Sequence, residues 1–213
     1  MKKSDKTVDN WEKAKFVLNK LEINYATLSK EHFKWFKQEC KKAKNKKISA
    51  NDILIGHIKE EYVMDFPPND IINMILSLID KRFDKYLKNL KMLTRDVPIV
   101  LSNLWCNFQK KYEFNPPHDH SGIFSFVVFI KIPYSFEKEM KFFDMGDKNN
   151  YTSKFTFNTI NKFGNLEFLD LNVDKSFEGK IILFPATQMH QVFPFYTSNG
   201  YRITVSGNIS LKV

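Results

Sequence analysis

From Pro98 to its end the chain is punctuated as only a β protein is. Runs rich in β-branched and aromatic residues occupy Ile99–Gln109, Ile123–Ile132, Lys154–Ile160, Leu166–Leu171, Lys180–Phe184, Val192–Phe195 and Tyr201–Leu211. Between them stand Asn115-Pro116-Pro117, Gly146-Asp147, Phe163-Gly164-Asn165, Glu178-Gly179 and Ser198-Asn199-Gly200. Strands this short, at this spacing, close into a sandwich or a barrel.

The first half has a different texture. Residues 9–47 read as helix, with Trp11, Ala14, Leu18 and Leu21, then Phe33, Phe36 and Cys40, at helical spacing between lysines. Ser29 before Glu31 and His32 reads as a helix start. The polar stretch Lys41–Lys47 is read as a break. It suggests a basic helical segment over 1–48 and a second unit over 49–213. Ile53–Met64 reads as a strand. Asp70–Leu93 has no Gly or Pro and carries one apolar stripe from Ile71 to Leu90, so a supporting amphipathic helix is expected at about 70–93, capped by Asn69 or Asp70.

The net charge of +9 is concentrated in residues 1–48, which hold 14 lysines against 6 acids. A basic segment invites a nucleic-acid partner, whereas a solvated lysine face needs none. Cys40 and Cys106 stand far apart in unlike contexts, which fits free thiols in a reducing cytoplasm. No apolar run has the length of a membrane span, and no apolar stretch follows the N-terminal lysines as in a signal peptide. A cytoplasmic protein is expected.

Three of the five histidines fall at strand ends. His118 and His120 sit two apart in NPPHDHSG; in extended backbone they point to one face while Asp119 points to the other. His190 follows the run KIILFPATQMH. Two close ligands and one distant one make a facial metal triad with open positions; an HxH pair by itself also lines turns or binds metal adventitiously. His32 and His57, in the helical half, read as structural. In YRITVSGNISL, Arg202, Thr204, Ser206 and Asn208 share one face. An Arg inside a small barrel needs an anion. Either a ligand carboxylate meets Arg202, with the Thr204 hydroxyl as second donor, or Arg202 points outward or pairs with Asp170 or Asp174.

The stretches LWCNFQKKYEFNPPHDHSGIFSFVVFIKIPY and EGKIILFPATQMHQVFPFYTSNGYRITVSGNI resemble the 2-oxoglutarate/Fe(II) oxygenases of tailed marine phages, within the prolyl-hydroxylase-like superfamily. The resemblance covers roughly Ile55 to the C-terminus. It implies an α+β chain whose barrel is a double-stranded β-helix (cupin-like jelly roll) with the N-terminal helices packed against it. It also implies Fe(II) and 2-oxoglutarate as cofactors, with dioxygen consumed. Carried over, His118 and His190 are metal ligands, Arg202 with Thr204 clamps the distal carboxylate of 2-oxoglutarate, and Asn107 is a further polar contact. Where the superfamily's His-x-Asp has Asp, this chain has His120. Either the iron site is a three-histidine site, or Asp119 or a remote acid takes the third place.

The expected activity is hydroxylation of a peptide, protein or small molecule. Two other readings are a nucleic-acid-modifying oxygenase served by the basic segment and a non-catalytic, virion-associated metal-binding cupin. The segment 134–153 is expected as a loop over the barrel mouth.

Overall fold

A computed structural model of the chain describes residues 9–79, 98–143 and 150–212. The helices are α1 (Asn10–Lys20), α2 (Lys30–Lys46), α3 (Asn69–Ser77) and α4 (Phe136–Lys141). The strands are β1 (Asn24–Thr27), β2 (Glu61–Val63), β3 (Ile99–Gln109), β4 (Asn115–His118), β5 (Phe124–Lys131), β6 (Phe155–Ile160), β7 (Leu166–Leu171), β8 (Lys180–Pro185), β9 (His190–Val192) and β10 (Arg202–Leu211). They form a six-stranded sheet in the order β1-β8-β5-β10-β3-β2 and a four-stranded sheet β4-β9-β6-β7, every pair antiparallel. This is the double-stranded β-helix expected from the sequence.

The larger sheet is buried on both faces, and the period-2 alternation of its strands sorts two cores. Phe124, Phe126, Val128 and Ile130 of β5 join Val205 and Ile209 of β10 on the outer face, against Phe36, Cys40 and Ala43 of α2 and Ile71 and Ile75 of α3. Val127 and Phe129 point the other way, into the barrel, where they meet Phe155, Phe157 and Phe184. The inward face of β10 is the polar one, Arg202 to Asn208, and it lines a cavity rather than a dry core. Gly207 lies in β10 because a Cβ there would sit 2.7 Å from both the Asn103 carbonyl oxygen and the Phe126 ring.

Several elements differ from expectation. Residues 9–47 are two helices flanking a strand. Glu22 takes a left-handed φ of 56° and ends the first helix, and β1 then pairs with β8, Asn24 to Thr27 against Leu183 to Lys180. Where a polar break is expected, α2 continues from Lys41 to Lys46 and ends at a left-handed Lys47, because Ala43 packs into the outer core and lysine and alanine favour helix. The α2 start is as read, with the Ser29 hydroxyl accepting from the His32 N–H at 3.1 Å.

Ile53–Met64 yields strand only at Glu61–Val63, after a 3-10 turn at Asn51–Ile53. α3 ends at Ser77 and has Pro68, not Asn69 or Asp70, at its cap position. The remainder of the helix expected at about 70–93 lies outside the described residues from 80 onward. Asn115-Pro116-Pro117, read as a turn, is strand β4. Two prolines are tolerated there because β4 is the edge of its sheet and its register with β9 shifts between Asn115 and His118, so neither proline is a paired position.

Candidate metal centre and co-substrate pocket

His118 closes β4, His190 opens β9 opposite it in register, and His120 follows in the turn, its N–H donating to the Ala186 carbonyl at 2.9 Å. That turn depends on Gly122, whose φ is 97° and where a Cβ would sit 2.7 Å from the Ile209 carbonyl oxygen. The ligand atoms of His118, His120 and His190 all lie within 4.8 Å of one another. Asp119 is exposed and is not in the cluster. His32 sits beside Asp70 at 3.4 Å, and His57 stacks on Phe114 at 4.7 Å; neither reaches the site.

The tautomers are set by the backbone. Nδ1 of His118 lies 2.7 Å from the Pro116 carbonyl oxygen, and Nδ1 of His190 lies 3.0 Å from that of Gln188. Carbonyls only accept, so each Nδ1 carries the proton and each Nε2 keeps a free lone pair. Burial holds all three imidazoles below their ordinary pKa. His120 is pushed to about 4, with the neighbouring His118 adding to the effect and Asp119 opposing it. The trio is therefore neutral at pH 7, the state a divalent cation requires. Phe155 stacks on His190 at 5.4 Å and Phe184 meets its edge at 4.9 Å, a dry backing for the cluster.

The three histidines open into a cavity of about 300 Å³ that also exposes Asn107, Thr204 and Arg202. Arg202 points inward and is only 3% exposed. Its Nε and one Nη reach the Gln109 side-chain oxygen at 2.8 and 2.6 Å. The Nη groups also donate to the Tyr134 hydroxyl at 2.9 Å, the Ser153 carbonyl at 3.1 Å and the Phe193 carbonyl at 2.8 Å. Every one of these acceptors is neutral. Asp170 pairs instead with Lys154 at 2.9 Å, and Asp174 accepts from Asn10 and from the Ser176 N–H. Among the described residues, then, Arg202 is a buried cation held in place but not neutralised, which suits it to a ligand carboxylate. Asn107 donates to the Thr204 hydroxyl at 3.3 Å across β3 and β10, so those two residues are brought together beside it.

Residues 103–208 match the family model described as "Putative 2OG-Fe(II) oxygenase". The matched stretch is a 2-oxoglutarate/Fe(II)-dependent oxygenase domain. Its cofactors are Fe(II) and 2-oxoglutarate, and the chain is accordingly a 2-oxoglutarate-dependent dioxygenase. A Pseudomonas putida prolyl-4-hydroxylase shares the oxygenase fold, with a TM-score of 0.52 and 11% identity over 93% of this chain and 98% of that one. Fainter likenesses are to a viral collagen prolyl hydroxylase from Paramecium Bursaria Chlorella virus-1 (TM-score 0.45, 12% identity, 88% and 94% covered) and a 2OG-Fe(II) oxygenase family oxidoreductase from Burkholderia pseudomallei (0.38, 14%, 74% and 66%). None of the curated proteins matches the chain. No helix among the described residues is long and apolar enough to cross a membrane.

Sequence reasoning missed Gln109, Tyr134 and Ser153, which hold Arg202, and Glu61, which shares the cavity. Gln109 was findable, since Asn103, Trp105, Asn107 and Gln109 alternate along β3. Tyr134 and Ser153 flank the segment expected as a loop over the barrel mouth; they are anchors of the Arg202 end.

Proposed function

We propose that the chain is a hydroxylase in which His118, His120 and His190 hold the iron, and Arg202, Thr204 and Asn107 receive 2-oxoglutarate. The observation that carries this is the meeting, in one cavity, of three neutral imidazoles and a buried guanidinium without an acid partner. A three-histidine set places no negative charge on the metal, so the co-substrate carboxylates are the balancing anions. Bound iron and 2-oxoglutarate supply the oxidation, consuming dioxygen and releasing succinate and carbon dioxide. The chain's own part is positional: backbone carbonyls fix the imidazole tautomers, Arg202 sets the direction of the keto acid, and the phenylalanine wall excludes water.

A peptide or protein side chain is the substrate class we favour, by analogy of fold. The nucleic-acid reading has less support, because the lysines of α2 lie on the outer side of the larger sheet and the cavity on its inner side. We place the reaction in a reducing cytoplasm (a host's, if a phage encodes the chain), in keeping with the free thiols of Cys40 and Cys106. The test is turnover. The iron-loaded protein should convert 2-oxoglutarate to succinate in an oxygen-dependent manner, slowly alone and faster with a substrate peptide, and His118→Ala should abolish it. Tight metal binding without succinate would instead support a non-catalytic module.

A further inference from the structure

The cavity holds a second unmet demand besides Arg202. Glu61 of β2 is 2% exposed and lines the cavity wall. Its Oε2 accepts from the Asn51 side chain at 3.2 Å, while its Oε1 has no hydrogen-bond partner among the described residues. Directly opposite in register on β3 stands Asn107, whose side-chain oxygen is likewise buried and unpartnered because its amide nitrogen is turned toward Thr204. Side chains opposite each other on antiparallel strands lie about 5 Å apart at Cβ. Two bare acceptors, one of them on a carboxylate, thus belong to opposed residues of the cavity wall. A buried acceptor left without a donor is costly, so the pair suits a donor that arrives from outside.

Arg202 is the one Lys or Arg among the described residues lining the cavity, and its N–H groups go to Gln109, Tyr134, Ser153 and Phe193 rather than to Glu61. Ile53, Leu54 and Ile55 line the same cavity, an apolar rim along which an alkyl stem can lie. Asn51 ties this rim to the subsite, since its amide also closes the loop on the Ile58 carbonyl at 2.6 Å.

We propose that Glu61 and the Asn107 side-chain oxygen form a substrate subsite for a cationic N–H group, the ammonium or guanidinium end of a basic side chain. The inference rests on the oxygenase reading, whose substrate it specifies. Burial first, and the nearby Glu113 charge second, push the empty Glu61 carboxyl up to about 7, so an arriving cation also relieves the cost of ionising it.

Calorimetry on the anaerobic Fe(II)- and 2-oxoglutarate-loaded protein tests this without turnover. The probes are Nα-acetyl-arginine methylamide, Nα-acetyl-lysine methylamide and the neutral isostere Nα-acetyl-citrulline methylamide. The expected result is that one of the cations binds at least tenfold tighter than citrulline, that Glu61→Gln removes that preference, and that Glu61→Asp keeps it. Citrulline binding as well as the tighter of the two cations, no binding of either cation, or an unchanged preference in Glu61→Gln would each overturn the subsite. The visible keto-acid band of the same wild-type samples separates the two readings. A cation preference that depends on Glu61 without the band retains the subsite and rejects the oxygenase site; the band without a cation preference does the reverse.

Discussion

At the scale of single residues, the site is a matter of which lone pairs are free. The Pro116 and Gln188 carbonyls occupy Nδ1 of His118 and His190, so in the proposed site each offers Nε2, and replacing either imidazole by alanine removes one of three ligands. Loss of an outer-shell partner alone commonly costs 10–100-fold in metal affinity, so His118→Ala or His190→Ala should weaken Fe(II) by at least about 100-fold, measured by competition with a chelating dye. His120→Asp, which restores the carboxylate of the wider superfamily, should retain the metal; its loss would show that the turn after β4 cannot bring a shorter ligand to the ion. Arg202→Lys keeps a charge but loses the planar fork. Its 2-oxoglutarate affinity should fall by about 1.5–3 kcal/mol, roughly 10- to 150-fold, in a titration of the chelate. The histidines stood out in the sequence by the HxH spacing and a third histidine after a strand, and Arg202 by the alternation of its strand; the structure brings all four to one cavity. Glu61 did not stand out, since the strand carrying it is three residues long and shows no alternation to count.

At the scale of elements, what joins the helical half to the barrel is a polar staple as well as a core. Glu60 accepts from the Tyr201 hydroxyl at 2.6 Å and lies 2.8 Å from Lys44 of α2, whose ammonium also sits 3.8 Å over the Tyr201 ring. Burial works against the Glu60 carboxylate, but hydrogen bonds from Lys44 and Tyr201 outweigh it and hold the carboxyl at about 2. A depressed carboxyl pKa stabilises the fold above the unfolded-state value of about 4.3, and that contribution is lost as pH falls toward 2. The difference in urea midpoint between wild type and Glu60→Gln should therefore be constant above about pH 5.5 and shrink steadily below it. A difference independent of pH would mean that the staple acts through packing alone. The element-level reading of the sequence failed where tertiary context overrode local signals. Asn115-Pro116-Pro117 has the composition of a turn, yet an edge position makes it a strand. Asn24–Thr27 is too short to register between two helices, yet the free edge of β8 recruits it.

At the scale of the whole molecule, the helices are part of the sheet's architecture. α2 covers its outer face and β1 extends its edge, so removing residues 1–48 would expose both the outer core and β8. Such a truncation should be insoluble, and a test for nucleic-acid binding is better made by reversing the exposed α2 lysines Lys34, Lys37 and Lys41. Metal should add to the stability of the whole: iron at about 100 times its dissociation constant contributes about 2.7 kcal/mol, which for a chain of this size raises the melting temperature by roughly 5–10 °C, and a chelator should reverse it. In the proposed site three histidines and Arg202 act together. This is tested most directly by adding 2-oxoglutarate to the anaerobic Fe(II) protein and recording the weak visible charge-transfer band of a keto-acid chelate, with His120→Ala and Arg202→Ala alongside. A band is expected in the wild type and absent from both variants at the same co-substrate concentration. A band that survives in His120→Ala, or a wild type that binds iron tightly and shows none, would contradict it.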